Sequence, residues 1–461
     1  MRKEKDSMGY VEVPDGVYYG AQTKRAFDNF PISNMTLPIE LIYAIAIIKR
    51  SSAIVNNSLG KINSEIKDAI VKASDEILEG KFDDNFIVEI YQTGSGTSTN
   101  MNVNEVIANR ANEILGSELG SNSPVHPNDH VNMGQSSNDV FPSAIHISAK
   151  IAITDKLIPS LNLIYSELTS KAKEFDSIIK IGRTHLQDAT PIRLGQEFSG
   201  YGASILNGTE RVSKAITSLS EIAQGGTAVG TGINTDSKFG SMVANEITKY
   251  TKIDFRETRN HFEAQANQDA SVEVSGALKT VAVSLSKIAN DIRLMGTGPR
   301  CGLGELILPP VQPGSSIMPG KVNPVICEST LQVCSQVIAN DLAITLGAQG
   351  GAFELNVMLP LISHNLIQSI NILSNAITMF NDKLLKDLKA DDKRCEDYIE
   401  KSLSMCTILV PVIGYDKTAE IAYEAYDTGK TIRELLLGKN ILSDIEIEKL
   451  LNASDMTKPS K

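Results

Sequence analysis

The sequence predicts an all-α, mainly helical protein with a long central helix bundle, and three observations support this. Long segments between residues 140 and 390 repeat apolar residues at alternating spacings of three and four. That period is typical of helices packed side by side at small crossing angles. Tryptophan is absent and aromatic residues make up only 5% of the chain, so the core is aliphatic. The 461 residues exceed what one compact core usually holds, which predicts several folding units.

Four apolar stripes mark the long helices of the bundle. They are Leu157, Leu161, Ile164 and Leu168; Phe198, Tyr201, Ile205, Val212 and Leu219; Leu278, Val281, Leu285, Ile288 and Ile292; and Ile362, Leu366, Ile370, Leu373, Ile377 and Phe380. Pro159 lies inside the first stripe and is expected to kink that helix. Long helices expose much apolar surface, so we expect other subunits to cover the bundle. The alternative is a long monomeric bundle.

The chain divides into three predicted domains. Residues 1–136 alternate helical patterns with Pro- and Gly-containing turns and predict a mixed, mainly helical N-terminal domain. Residues 137–392 hold the bundle. Residues 393–461 carry shorter helices, one of which begins with a capping box formed by Ser443 and Glu446, and they predict a small C-terminal helical domain.

Composition and charge exclude several classes of partner. The 44 basic and 55 acidic residues give a net charge of −11, so the chain has no general attraction for nucleic acid or anionic membranes. The longest apolar run, Leu41 to Ile48, is far shorter than the ~20 residues of a membrane span. The charged N-terminus argues against a secretory signal. Five cysteines without a C-x-x-C pair argue against a disulfide framework, and we expect a cytoplasmic protein.

Two glycine-rich segments, Thr93–Asn100 and Gln224–Gly232, invite a comparison with nucleotide-binding loops. Neither has the third glycine of the dinucleotide pattern or a clear preceding strand, so no nucleotide cofactor is predicted. Turn chemistry is one interpretation. The other is a set of hydroxyl and backbone N–H groups that bind a small anion at a helix start, and the helical run after Asn100 favours it.

Two segments that contain histidines are candidate chemical sites. His126 and His130 have the i,i+4 spacing of a zinc hydrolase, but Pro127 stands where that motif requires glutamate, so no metal is predicted. His185 lies in the polar, turn-like stretch 182–188. Histidine is the side chain that ordinarily titrates near neutral pH, which suits it to proton transfer. A hydrogen-bonded loop histidine is an equally good interpretation from these residues alone.

The most informative segment is Gln312-Pro-Gly-Ser-Ser-Ile-Met-Pro-Gly-Lys-Val-Asn-Pro324. Two Pro-Gly steps frame a serine pair and a lysine, so the segment cannot be regular helix or strand. Irregular segments of this length are often lids over a site. The serines and the lysine are suited to holding a carboxylate. The alternative is an exposed linker.

Six motifs together resemble one enzyme family. They are Tyr19-Gly-Ala-Gln-Thr23, Thr93-Gly-Ser-Gly-Thr-Ser-Thr-Asn-Met-Asn-Val-Asn-Glu105, His126-Pro-Asn-Asp129, Gln135-Ser-Ser-Asn-Asp139, Gly182-Arg-Thr-His-Leu-Gln-Asp-Ala-Thr190 and Gly314-Ser-Ser-Ile-Met-Pro-Gly-Lys-Val-Asn-Pro324. From about Gly9 to Gly429 the chain resembles class II fumarases of the fumarase/aspartase superfamily. The resemblance implies a three-domain fold and a homotetramer with a multi-helix core, whose active sites each draw residues from three subunits. It also implies reversible hydration of fumarate to L-malate in the tricarboxylic acid cycle, without a metal or other cofactor.

The resemblance also implies the site residues. Ser315 is the base, His185 handles the water on the other face of the substrate, and Glu328 orients and charge-balances that histidine. The residues implied to bind the substrate carboxylates are Ser95, Gly96, Thr97, Ser136, Ser137, Asn138, Thr184, Ser316, Lys321, Val322 and Asn323. A serine hydroxyl is too weak a base by itself, so its alkoxide must be stabilised by nearby cations and N–H groups.

A secondary, non-catalytic dicarboxylate site is implied at His126, Pro127, Asn128 and Asp129. The family often has a basic residue just before this segment, whereas this chain has Ser123-Pro124-Val125 there. Two other functions remain open. Aspartate ammonia-lyases share the scaffold, but they typically carry glutamine where this chain has His185. A non-enzymatic helical assembly protein would not need the complete set of polar residues.

Overall fold

The computed structural model describes residues 1–459, and these residues are mainly helical. The α-helices are α1 Ala21–Asn29, α2 Ile39–Ser58, α3 Ser64–Leu78, α4 Thr97–Ile114, α5 Ser137–Ala152, α6 Ile158–Glu174, α7 Leu194–Ala215, α8 Phe239–Thr251, α9 His261–Ala266, α10 Asp269–Met295, α11 Val325–Ala348, α12 Leu359–Phe380, α13 Asp392–Lys401, α14 Val410–Ile413, α15 Tyr415–Thr428, α16 Ile432–Lys439 and α17 Asp444–Leu450. The mainly helical fold class is therefore confirmed.

The described strands are short and pair only in twos. They are β1 Arg2–Asp6, β2 Gly9–Val13, β3 Ile179–Thr184, β4 Gln187–Arg193, β5 Glu221–Ile222, β6 Arg256–Glu257, β7 Leu306–Ile307, β8 Gly351–Ala352, β9 Leu355–Asn356 and β10 Lys389–Ala390. The antiparallel pairs are β1–β2, β3–β4, β7–β10 and β8–β9, and β5–β6 is parallel. These two-stranded sheets connect neighbouring loops and do not form a separate layer of the fold.

The four predicted apolar stripes are confirmed, since every residue in them is buried. They fall on α6, α7, α10 and α12, with Leu157 just before α6 and Leu219 just after α7. Next to Pro159 the helical path contains a π-helical turn at Ile153–Leu157, between α5 and α6. Proline cannot donate a backbone hydrogen bond and its ring clashes with the carbonyl four residues earlier, so the wider turn relieves the strain that Pro159 imposes.

The chain forms two compact units, each made of three separate stretches. Unit 1 comprises Met1–Pro159, Glu210–Ala282 and Cys334–Ser374. Unit 2 comprises Ser160–Thr209, Val283–Val333 and the chain from Asn375 onward. The division into domains at residues 136 and 392 stays a prediction. None of the helices within residues 1–459 combines the length and the apolar character that a bilayer span requires.

The end of the chain has a hydrophobic core of its own. It is formed by Met405, Leu409, Ile421, Ala425, Ile432, Leu435, Leu436, Ile447 and Leu451. The capping box predicted at Ser443 and Glu446 is present and begins α17. A second one, formed by Thr431 and Glu434, begins α16. Local capping therefore sets where these short helices begin, while the shared core holds them together.

The N-terminal motif 19–23 is held by a buried carboxylate of α4. Glu105 accepts hydrogen bonds from the backbone N–H groups of Gly20 (2.9 Å), Gln22 (2.8 Å) and Thr23 (3.1 Å), and from the Thr23 hydroxyl (2.6 Å). These donors lie at the start of α1, where backbone N–H groups lack partners within the helix. Glu105 thus fixes the start of α1 on α4.

We expect Glu105→Ala to lower the free energy of unfolding by at least about 3 kcal/mol, because it leaves four donors around a buried site without an acceptor. Chemical denaturation followed by circular dichroism measures the change. Glu113→Ala is the matched control on the same helix, since Glu113 is exposed and its ion pair with Arg110 is worth little. Equal losses in the two variants would contradict the anchoring role of Glu105.

Candidate active site

Three hydroxyl groups of unit 1 form a chain of hydrogen bonds at the starts of two helices. Ser95 Oγ lies 2.8 Å from Thr97 Oγ1, and Thr97 Oγ1 lies 2.8 Å from Ser137 Oγ. Thr97 begins α4 and Ser137 begins α5. Helix N-termini present free N–H groups and a partial positive charge, which favour an anion. The hydroxyl cluster of Ser95, Thr97 and Ser137 is therefore suited to binding a carboxylate.

The start of α5 is fixed by a capping box whose acid also holds a second loop. Ser136 Oγ accepts from the backbone N–H of Asn138, and Asp139 accepts from the N–H of Ser136 at 2.8 Å. The other carboxylate oxygen of Asp139 accepts from the N–H groups of Gly225 (3.3 Å) and Thr227 (2.9 Å). Asp139 is fully buried, and this burial raises its pKa to about 6.

Asn138 is held by the same loop. Its side-chain amide donates to the carbonyl oxygen of Ala228 at 2.8 Å. This hydrogen bond uses the NH2 group of the Asn138 side chain, so the side-chain oxygen points away from Ala228. The second glycine-rich segment, 224–232, therefore supports the hydroxyl cluster through Asp139 and Asn138, a role that the sequence interpretation had not assigned.

Gly96 precedes α4 and is constrained in two ways. Its backbone is left-handed, with φ of +73°, and a Cβ atom at this position would overlap the ring of Phe141. Phe141 is fully buried, so it has no room to move aside. Only glycine fits between the hydroxyl cluster and α5.

We expect Gly96→Ala to lower the free energy of unfolding by at least about 3 kcal/mol, from the strained backbone and the overlap together. Thermal and chemical denaturation measure this. Gly438→Ala is the control, because a Cβ there meets open space within α16, and it should be neutral or slightly stabilising. In the double variant Gly96→Ala/Phe141→Leu, the smaller leucine side chain should recover part of the lost stability. If the losses of the two single variants simply add up, the proposed overlap would be wrong.

In unit 2, His185 stands at the tip of the β3–β4 hairpin. Thr184 pairs with Gln187, so His185 and Leu186 form a two-residue turn, and both have left-handed backbones with φ of +57° and +61°. This is the geometry of a type I′ turn, which normally selects Asn or Gly. Residues held in sparsely populated backbone conformations cluster at functional sites. The turn presents both Thr184 and His185 at the exposed tip.

The base of this hairpin is held by buried charges of unit 2. Arg183 lies 2.8 Å from Glu305, and Lys180 lies 3.6 Å from Glu305 and 3.1 Å from Glu197. Glu305 is fully buried. Removing one partner of such a buried pair would leave an uncompensated charge, so these ion pairs hold β3 against Glu305 just before His185.

The segment 312–324 contains no helix or strand, as predicted. Its ends are joined, since the N–H of Gly314 donates to the carbonyl oxygen of Lys321 at 2.8 Å and the Asn323 amide donates to the carbonyl oxygen of Gly314 at 2.6 Å. Lys321 is exposed and forms no ion pair within residues 1–459. With Val322 and Asn323 it lines an open cavity of about 560 Å³ in unit 2.

Ser315 lies in this closed loop, directly after Gly314. Its Oγ accepts hydrogen bonds from the backbone N–H groups of Ile317 (3.2 Å) and Met318 (3.0 Å). Two N–H donors aimed at a hydroxyl oxygen stabilise negative charge on that oxygen, which lowers the free energy of its alkoxide. The neighbouring Ser316 is exposed.

The segment 126–131 forms a compact turn of its own in unit 1. His126 Nδ1 accepts from the backbone N–H groups of Asn128 and Asp129, both at 3.2 Å, at the start of the π-helical turn Pro127–Val131. The N–H of His126 in turn donates to His130 Nδ1 at 2.9 Å, and burial lowers the pKa of His130. The imidazole of His126 is therefore engaged in local capping.

Comparisons with known proteins show what the whole chain is similar to. A profile of the family described as lyase matches residues 9–339, and one described as fumarase C C-terminus matches residues 405–458. The chain is 50% identical over 459 residues to a fumarate hydratase class II of Rickettsia conorii, covering 100% of this chain and 99% of that protein. It is 49% identical over 458 residues to fumarate hydratase class II 2 of Bradyrhizobium diazoefficiens, covering 99% and 97%. The crystal structure of a class II fumarase from Schistosoma mansoni matches with a TM-score of 0.96 and 40% identity over 100% of both chains.

The chain belongs to the class II fumarate hydratase family. The predicted family resemblance is thereby confirmed. Within the chain, the residues expected from this family fall into separate groups. Unit 1 brings together Ser95, Gly96, Thr97, Ser136, Ser137 and Asn138, whereas Thr184, His185, Ser315, Ser316, Lys321, Val322, Asn323 and Glu328 belong to unit 2.

The expected pairing of Glu328 with His185 stays a prediction for this family member. Glu328 is exposed in the first turn of α11, and no hydrogen bond or ion pair joins it to His185 within residues 1–459. His185 is likewise exposed, at the tip of its hairpin.

Three supporting residues were missed from the sequence, although each contacts a segment that the family uses. Asp139 lies inside a quoted motif, and its place three residues after Ser136 is the signal of a capping box. Lys49 directly follows the apolar run Leu41 to Ile48 within α2, and a lysine that the helix buries there needs polar partners. Glu305 gives no signal, because its partners Lys180 and Arg183 are more than 100 residues away in the sequence.

Proposed function

We propose that the protein is a fumarate hydratase that interconverts fumarate and L-malate in the tricarboxylic acid cycle. The observation that carries the proposal is the Ser315 hydroxyl, whose oxygen accepts hydrogen bonds from two backbone N–H groups in a closed loop that also bears Lys321. The about 50% identity to relatives named fumarate hydratase class II supports it over the whole chain.

The proton-transfer step needs that arrangement. In the malate-to-fumarate direction, a base removes a weakly acidic proton from the carbon next to a carboxylate, and the resulting aci-carboxylate carries two negative charges on one group. Each well-aimed donor contributes about 3–4 kcal/mol to stabilising such an intermediate. We propose that Ser315, as its alkoxide, takes the proton. Lys321 and Asn323 of the loop and the hydroxyl cluster then bind the substrate carboxylates.

The water is handled on the opposite face of the substrate. We propose that His185 protonates the departing hydroxyl of malate, or removes a proton from the attacking water in the reverse direction, as a general acid and base. Its exposed position at a hairpin tip supports this role, because the side chain can enter a pocket built by other segments. Glu328 is proposed to orient the imidazole and to balance its charge.

We propose a homotetramer in which each active site takes residues from three subunits. Ile338, Leu342 and Leu346 form an apolar row on α11 in unit 1, and they are 40%, 59% and 55% exposed. The apolar residues of α11 are not confined to one side of the helix, so an apolar row remains exposed beside its buried positions. Sedimentation velocity of the purified protein tests the assembly, and a monomer at micromolar concentration would contradict it.

An aspartate ammonia-lyase is the second candidate, because it uses the same scaffold. His185 argues against it. The purified protein is given L-malate or L-aspartate, and formation of the conjugated double bond of fumarate is followed by ultraviolet absorbance. We expect a signal with malate only. A signal with aspartate only would contradict the proposal, and no signal with either would favour the non-enzymatic alternative.

Two further assignments remain proposals. The described cysteines are all free and mostly buried, which fits a reducing compartment such as the cytoplasm. A secondary dicarboxylate site at 126–129 is supported by the compact turn there, but Ser123 brings no positive charge to it and His126 is engaged in capping. We propose that any binding at that turn is weaker than binding at the catalytic site.

A further inference from the structure

A lysine lies fully buried in unit 1, next to the turn that precedes α5. Lys49 of α2 donates to Asn132 Oδ1 at 2.8 Å and to Gln135 Oε1 at 3.1 Å. Both acceptors are neutral amides. Burial lowers the pKa of Lys49 to about 7, and the negative charge of Asp139 opposes this shift. Burying an ammonium group costs free energy that an apolar side chain of the same size would not. A role beyond packing would account for a lysine here.

The acceptors of Lys49 belong to a tight turn, residues 131–135, that closes on itself. The Asn132 amide donates to the carbonyl oxygen of Gln135 at 3.1 Å. The Gln135 amide donates to the carbonyl oxygens of Val131 and Met133, both at 3.2 Å. Within residues 1–459, Lys49 is the donor that reaches Gln135 Oε1. Removing its ammonium would leave that oxygen without a partner.

The same turn also contacts the start of α4. Asn132 Oδ1 accepts from the side-chain amides of Asn100 and Asn104, each at 3.3 Å, in addition to Lys49. Asn100 lies one turn after Thr97, the first residue of α4. One oxygen atom therefore joins α2, α4 and the 131–135 turn, and the lysine supplies its shortest and only charged hydrogen bond.

The turn leads directly into Ser136, Ser137 and Asn138. A shift of the turn would move the N-terminus of α5 relative to that of α4, and with it the distance between the Ser137 and Thr97 hydroxyls. A buried polar network of this kind specifies one arrangement of the elements it joins when its members are satisfied.

We propose that Lys49 is a positioning residue of the carboxylate-binding site, which fixes Ser137 and Asn138 against Thr97 through Asn132 and Gln135. This inference rests on the proposed function of that site. Lys49 contacts no substrate itself. It acts through the turn, so its loss should weaken binding of the substrate carboxylate more than it slows the chemical step that Ser315 performs.

The test compares Lys49→Met with Lys150→Met in the full-length protein. Lys150 is a matched control: it is also buried in unit 1 and donates to Ser220 Oγ and to the carbonyl oxygen of Asp254, both at 2.6 Å. For Lys49→Met we expect KM for L-malate and the inhibition constant of succinate, an unreactive C4 dicarboxylate, to rise together by about 10- to 100-fold. The fall in kcat should be smaller. Lys150→Met should lower the melting temperature and leave both constants unchanged.

A second variant keeps the proposal testable if Lys49→Met does not fold. Gln135→Met removes one acceptor at nearly constant volume and should raise KM and the succinate constant in the same direction. In a folded double variant, Gln135→Met should add less to Lys49→Met than it costs alone, because both changes remove the Lys49–Gln135 hydrogen bond. Wild-type KM in Lys49→Met, or in Gln135→Met, would overturn the proposal. Absence of malate turnover in the wild-type protein would instead refute the proposed function.

Discussion

Ser315→Ala is expected to lower kcat for L-malate by about 10²- to 10⁴-fold, the usual contribution of a positioned general base. The hydroxyl is the group that receives the N–H groups of Ile317 and Met318, so alanine removes the oxygen on which they would stabilise negative charge. KM should change much less, because the other donors to the substrate carboxylates remain. Absorbance of fumarate at saturating malate measures the rate.

Stability provides the internal check on this result. Ser315 lies in an exposed loop and supports no core, so the melting temperature should stay near that of the wild type. Gln312→Ala is the matched control, since Gln312 is an exposed residue of the same loop with no assigned role, and its turnover should stay near the wild-type value. Normal turnover in Ser315→Ala would show that the base lies elsewhere.

His185→Asn is the second variant with a large expected effect. Asparagine tolerates a left-handed backbone better than most residues, so it should keep the turn at φ of +57° while removing the imidazole. We expect hydration of fumarate to slow by about 10²- to 10⁴-fold, the usual contribution of a general acid–base group. Initial rates, with sedimentation velocity on the same sample, measure both the activity and the assembly.

The neighbouring position supplies the control for the turn. Leu186→Asn changes the other left-handed residue of the hairpin and removes no proposed catalytic group, so turnover should stay close to the wild-type rate. If His185→Asn were inactive and found only as monomers, His185 would have a structural role in assembly. If it kept full activity, the proposed handling of water by His185 would be wrong.

The helices of the bundle were predictable because their signal is local and repeated. An apolar residue every three or four positions marks the buried face of a helix wherever that helix packs, and every residue of the four stripes is buried. The loop 312–324 was predictable for the opposite reason, since two Pro-Gly steps forbid regular structure. The π-helical turn at Ile153–Leu157 follows from Pro159, although the sequence does not specify its form.

The residues that support the candidate site could not be predicted from a local sequence pattern. Asp139 meets the 225–227 backbone, and Glu305 meets Arg183, across long stretches of chain. The local sequence does not reveal which donor such a carboxylate binds, because a carboxylate accepts hydrogen bonds from any donor that the folded chain brings close to it. The left-handed backbone of His185 was also hidden, since the sequence places a histidine and a leucine where Asn or Gly would be expected.

The sequence by itself determined the helical fold class, the irregular loop and the family, because periodicity, proline and glycine restrict the backbone locally and the six motifs are specific. The tertiary structure decided which polar groups meet. It joined the Ser95, Thr97 and Ser137 hydroxyls, aimed two N–H groups at Ser315, and placed Lys49 beneath the start of α5. Hydrogen bonds act only over about 3 Å, so their partners are defined by where the packed chain brings atoms together, and not by their order in the sequence.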